Sequence, residues 1–201
     1  MAIQDVTGLI LAGGRGTRVG GADKGWVQFD GQPLITRVVE RFAPQVSSLL
    51  ISANRNVERY ATLGTVVEDA LDPGAERFAG PLAGVLSGLR QAGTGWVAVV
   101  PCDAPYLPID LVQRLAHGAA KAGASAACAR TGDDLQPVFA LINASAVEQL
   151  ALSIAGGERA MHRWLASLNA VSVPFEDARA FSNINVLPGD AVTHADQAEK
   201  R

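Results

Sequence analysis

The stretch LILAGGRGTRVGGADKG, residues 9–25, ends an apolar run in closely spaced glycines and sets Arg15, Arg18 and Lys24 among them. Glycines open backbone conformations closed to other residues and let a ligand come close to the main chain. Main-chain N–H groups in such a loop form an anion-binding concavity, to which Arg adds a forked phosphate contact. Lys24 is one of three lysines in the chain, with Lys121 and Lys200. A compact ammonium suits charge that develops on a departing phosphate. The loop is not a Walker A motif, because no Gly-Lys-Ser/Thr follows at the required spacing. Nor is it a dinucleotide fingerprint, since Val19 occupies the third glycine position. The chemistry indicated is the handling of a phosphate-bearing ligand.

A second group is carboxylic and amide. Asp103, in PCDAP (101–105), ends an apolar strand. On residue type and place alone it reads as an Asp that stabilises the turn before Pro105. Asp69 lies in VVEDAL, Asn54 follows SSLLISA, and Asn183 and Asn185 flank Ile184 near the end. Asp133 and Asp134 beside Gly132 read as a solvated turn. Cys102 and Cys128 have no metal-ligand spacing and read as buried reduced thiols.

The elements that must position these residues alternate between two periods. VTGLILA (6–12), SSLLISA (47–53), TVVE (65–68), WVAVVP (96–101), SAACA (125–129), QPVFALI (136–142) and AVSVPF (170–175) read as strands. WVAVVP is an almost continuous apolar run, as in strands buried on both faces of a parallel sheet. Leu34, Ile35, Val38, Val39 and Phe42 recur at helical spacing. A helix over 80–93 has Pro81 in its first turn. Further helices begin near Pro108, near Val147 and near Met161. The alternation predicts an α/β fold: a three-layer α/β/α domain over 1–190 with a mostly parallel sheet, and a loose tail over 191–201. In such sheets ligands sit beyond the carboxyl ends of the strands, so Gly13 to Lys24, Asn54, Asp69 and Asp103 should line one crevice.

The bulk properties exclude several classes. With 48% hydrophobic and 18% charged residues in 201, the chain is globular and long enough for a real core. A net charge of -3 argues against nucleic acid as a partner. No run is long enough for a membrane span and the start lacks a signal-peptide pattern, so a cytoplasmic protein is expected. No long apolar face marks an obligate dimer, so the expected state is a monomer.

LAGGRGTRVGGADKG, GPLAG (80–84), PCDAP and NIN (183–185), in this order, resemble the molybdenum cofactor guanylyltransferases, the MobA family, which share a Rossmann-like nucleotidyltransferase fold. The resemblance implies transfer of GMP from GTP to the terminal phosphate of molybdopterin, or its molybdenum-loaded form, with Mg2+ as cofactor. It implies that Leu11, Ala12, Gly13 and Gly14 meet the nucleotide through main-chain groups, and that Lys24 and Arg18 bind the triphosphate. Asp69 would face the nucleoside, and Asp103 would ligate magnesium. Pro81 and Leu82 would shape the base pocket, and Asn183 and Asn185 would meet the pterin substrate. Either Ser52 or Asn54 would make a further nucleotide contact. Transient contact with molybdoenzymes or their chaperones is implied as well. Two other readings stay open at this point, a cytidylyltransferase of the same chemistry and a non-catalytic nucleotide-binding assembly factor.

Overall fold

The strands richest in apolar residues lie at the centre of the sheet, where both faces are covered. β1 (Val6–Leu11) is flanked by β4 (Ser48–Ser52) and β6 (Trp96–Pro101), parallel to both. In the computed structural model, which describes residues 5–13, 23–68 and 80–184, the seven-stranded sheet has the order β5-β4-β1-β6-β8-β7-β9. β5 (Thr65–Val67) and β9 (Val171–Phe175) form its edges. β8 (Asp134–Asn143) runs antiparallel to both β6 and β7 (Ala126–Thr131); the other six strands share one direction. The sheet is thus mostly parallel, as expected. β7 and β8 form a hairpin because only Gly132, in the left-handed region at φ 55°, and Asp133 separate them. That connection is too short for the crossover a parallel pair requires.

Helices cover both faces. α1 (Leu34–Phe42) turns Leu34, Ile35, Val38 and Phe42 inward. It shares one core with α4 (Leu111–Ala122), which buries Leu111, Val112 and Leu115 against Ile10, Ile51, Val100 and Phe139 of the sheet. α4 stops at Gly123, whose left-handed conformation (φ 62°) directs its N–H back to the carbonyls of Ala119 and Ala120. On the opposite face α3 (Pro81–Gln91), α5 (Val147–Ala155) and α6 (Met161–Ser167) pack on Leu9, Leu50, Val97, Val99 and Ile142. α3 lies very close to the sheet, since a Cβ on Gly88 would overlap the Leu9 side chain.

Two elements were not read from the sequence. A small hairpin, β2 (Gln28–Phe29) and β3 (Gln32–Pro33), turns through Asp30 and Gly31, both at positive φ (46° and 83°). The Asp-Gly pair was the available signal for it. α2 (Val57–Tyr60) is a single turn whose one buried residue is Tyr60. The hairpin carries Phe29 into a satellite core with Leu34 and Ile184. No helix among the described residues is long and apolar enough to cross a membrane.

Candidate active site

From β1 the chain proceeds to β4 and β5 on one side, then returns to place β6 on the other. Such a switch point opens a crevice beyond the carboxyl ends of the strands between which the direction reverses. Main-chain bonds extend the strands into this region. Cys102 donates its N–H to the Leu11 carbonyl at 3.1 Å, Ala12 donates to the Ser52 carbonyl at 2.8 Å, and Ala53 donates to the Val67 carbonyl at 3.1 Å. The strand ends bearing Gly13, Asn54 and Asp103 are therefore held in fixed relation.

Lys24 and Asp103 meet here. The Lys24 Nζ donates to Asp103 Oδ2 at 3.3 Å, with the lysine side chain 30% exposed and the aspartate 8%. The Asp103 carbonyl accepts the Ile184 N–H at 2.9 Å, so the NIN stretch reaches the same place and exposed Asn183 adjoins it. Ile184 is anchored in the satellite core of Phe29 and Leu34. Thus the hairpin that escaped the sequence reading secures the C-terminal segment at Asp103. Cys102, beside Asp103, is buried; desolvation, then the neighbouring carboxylate, pushes its thiol well above the ordinary range. Burial likewise raises Cys128, to about 11. Both are packing thiols, as expected.

A second convergence lies at the end of β4. A Cβ built on Gly13 would sit 3.2 Å from Asn54 Nδ2 and 3.7 Å from Ser52 Oγ. One on Gly84 would meet Ser52 Oγ at 2.5 Å and Leu11 Cδ2 at 3.0 Å. Gly13, Ser52, Asn54 and the first turn of α3 are therefore neighbours. Ser52 is buried under Gly84, whereas Asn54 is half-buried. In GPLAG, Gly80 adopts φ 80°, which only glycine takes without strain, Pro81 is exposed, and Leu82 is wholly buried in the core. The Leu82 side chain thus backs the helix start from within the core. Gly14, Arg15, Arg18, Asp69, Asn185 and the tail over 191–201 lie outside the described residues.

One part of the site was missed in the sequence. Asp23 precedes a 3-10 turn, Lys24–Trp26, and its Oδ1 accepts the Gly25 N–H at 3.3 Å. The same oxygen accepts the Tyr60 hydroxyl at 2.5 Å, and Oδ2 accepts the Asn56 amide at 2.8 Å. Burial, before any other influence, raises the Tyr60 phenol far above its usual range, so it remains a proton donor. Trp26 packs on Tyr60 with ring centroids 5.1 Å apart, and the Arg59 guanidinium lies 3.8 Å from the Trp26 ring centroid. An Asp directly before the loop lysine was a visible helix-cap signal. Its partners, 33 and 37 positions away, were not.

Comparison with known proteins fits this geometry. The model of the MobA-like NTP transferase domain matches residues 8–171. The chain belongs to the MobA-like NTP transferase family. A protein of Cupriavidus metallidurans named molybdenum cofactor guanylyltransferase is 46% identical over 203 residues, covering 98% of this chain and 97% of its own. One of the same name from Burkholderia ambifaria is 49% identical over 188 residues, covering 90% and 91%. The crystal structure of molybdopterin-guanine dinucleotide biosynthesis protein A from Archaeoglobus fulgidus superimposes with a TM-score of 0.71 at 26% identity, covering 90% of this chain and 93% of that one. Within this MobA-like chain, the family match spans β1 to the start of β9 and so includes Lys24, GPLAG and Asp103.

Proposed function

We propose that this protein transfers GMP from GTP to the terminal phosphate of molybdopterin, giving molybdopterin guanine dinucleotide and pyrophosphate. The observation that carries the reading is the Lys24 ammonium 3.3 Å from the buried Asp103 carboxylate beyond the ends of β1 and β6. The names of the relatives supply the substrates.

A phosphate oxygen of the pterin attacks the α-phosphorus of GTP, and the bond to the β-phosphate oxygen breaks. The attacking group is already ionised, so no general base is needed. Two anions have to be brought together in line while charge on the leaving pyrophosphate is neutralised, a task of positioning and electrostatics. Lys24 serves the triphosphate, and Gly13 with Asn54 meets the nucleoside end. In this proposal Leu11, Ala12 and Gly13 meet the nucleotide through main-chain groups, the Leu11 carbonyl accepting the Cys102 N–H as well. Arg18, Gly14 and Asp69 complete the nucleotide site, with exposed Pro81 at the base, Leu82 supporting it from the core, and Asn183 and Asn185 toward the pterin.

The residues present suit a magnesium ion. Asp103 is a nearly buried carboxylate that already pairs with a cation, the Lys24 ammonium. A single carboxylate with phosphate oxygens is a common donor set for magnesium. Bound there, the ion would screen the phosphate charges.

The test is pyrophosphate release with molybdopterin and Mg2+, supplying GTP, CTP, ATP or UTP in turn. Release with GTP alone is expected, and Asp103→Ala should abolish it while leaving the circular dichroism unchanged. Faster release with CTP would transfer the protein to cytidylyl chemistry. Undiminished release by Asp103→Ala would remove the metal role.

A further inference from the structure

Lys24 has a long flexible side chain, so the place of its ammonium depends on how firmly its backbone is held. Three groups converge on the preceding residue to hold it. Tyr60, fully buried in the core, gives its hydroxyl to Asp23 Oδ1 at 2.5 Å. Asn56, exposed and in the left-handed region at φ 53°, gives its amide to Oδ2 at 2.8 Å. The Gly25 N–H closes the turn on Oδ1. The turn also lies tight against the phenol: a Cβ on Gly25 would come within 2.5 Å of the Tyr60 hydroxyl oxygen. Hydrogen bonds to an ionised carboxylate are about twice as strong as neutral ones, and the Tyr60 contact has the short O–H···O distance of such bonds.

Tyr60 and Asn56 follow β4, whereas Asp23 and Lys24 follow the glycine loop after β1. The Asp23 carboxylate therefore joins the loop that carries Asn54 to the loop that carries Lys24. Its position, one residue before the lysine, lets any movement of the 52–60 segment act on the ammonium at Asp103.

We infer that Asp23 and Tyr60 are positioning residues for the transfer reaction: the phenol anchors the carboxylate, the carboxylate fixes the Lys24–Trp26 turn, and the turn aims the ammonium at the triphosphate. This rests on the proposed role of Lys24. Neither Asp23 nor Tyr60 takes part in bond making. Their effect on the transfer step runs chiefly through Lys24, and dependence on Lys24 distinguishes positioning from general support of the fold.

The experiment is a double-mutant cycle on the full-length protein, read as GTP-dependent pyrophosphate release with molybdopterin and Mg2+. Tyr60→Phe removes one oxygen atom. It should lower kcat roughly tenfold or more and leave KM for molybdopterin unchanged, with the protein still folded and melting only a few degrees below the parent. In the Lys24→Ala background the same change should slow the residual rate by less than about twofold, because the group it positions is gone. Asn56→Gly keeps the left-handed backbone, removes only the Oδ2 contact, and should slow the reaction about threefold with the same loss of effect in Lys24→Ala. It serves as the probe if Tyr60→Phe does not fold. An unchanged kcat in the folded probe variant, or a slowing of equal size with and without Lys24, overturns the inference. An unchanged rate in Lys24→Ala would instead overturn the role of Lys24 itself, and the inference with it.

Discussion

Glu158 shows how one side chain can organise a segment beside the site. Its carboxylate accepts the N–H groups of Arg159 and Ala160, each at 2.7 Å, and a forked contact from Arg163 with bonds of 2.7 to 3.1 Å. It thereby shapes the approach to α6, and the Arg159 carbonyl lies 3.6 Å from where a Cβ on Gly80 would stand. These bonds, Arg163 foremost, hold the Glu158 pKa at about 2, below the usual 4.5. A carboxylate depressed in the folded state stabilises the fold above its unfolded pKa, and that contribution is lost as pH falls through the folded value. Glu158→Gln should therefore melt below the parent at pH 7, and the gap should close between about pH 4.5 and 2. Melting curves at pH 7, 4 and 2.5 would check this. A gap that does not change with pH would mean that the amide loses geometry and not charge.

At the scale of elements, the approach of α3 to the sheet decides whether the crevice keeps its shape. Gly84 and Gly88 face Leu11, Ser52 and Leu9 one helical turn apart, leaving no room for a side chain on this stripe. Leu9 is fully buried and has nowhere to withdraw. Gly88→Ala should cost about 1 to 3 kcal/mol in denaturant unfolding, the usual penalty of overpacking a core. Gly84→Ala should in addition raise KM for GTP, because the helix start it would displace adjoins Gly13 and Asn54. If Gly88→Ala were as stable as the parent, α3 would lie farther from β1 than described.

Across the whole molecule, the site draws on the end of β1 at Leu11 and on a C-terminal segment at Ile184, so ligand binding should stabilise the entire fold. A ligand at 100 times its Kd adds about 2.7 kcal/mol, which in a chain of this size raises the melting temperature by roughly 5 to 10 °C. GTP with Mg2+ should produce such a rise in thermal melts, and CTP with Mg2+ a much smaller one. Equal rises would put base selection in the transfer step and not in ground-state binding.

Periodicity and motif order alone determined the α/β class, the seven main strands, the position of Asn54 and Asp103 at strand ends and that of Lys24 in the connection after β1. Those features depend on local physics: alternating apolar periods, glycine's tolerance of unusual φ, and the apolar run that marks a strand buried on both faces. The sequence also showed Gly84 as part of a motif, but its service as a contact surface under Ser52 depends on a helix packing across the sheet. The antiparallel course of β8 was decided by a two-residue turn at Gly132 and Asp133, read correctly as a turn but not as a hairpin. Tertiary structure alone brought Tyr60 and Asn56 to Asp23, Ile184 to the carbonyl of Asp103, and Lys24 within reach of a carboxylate 79 positions away. Such partners leave no periodic trace, because a hydrogen bond needs only one donor and one acceptor placed together, and their meeting is set by how the connections after β1, β4 and β6 close over one end of the sheet.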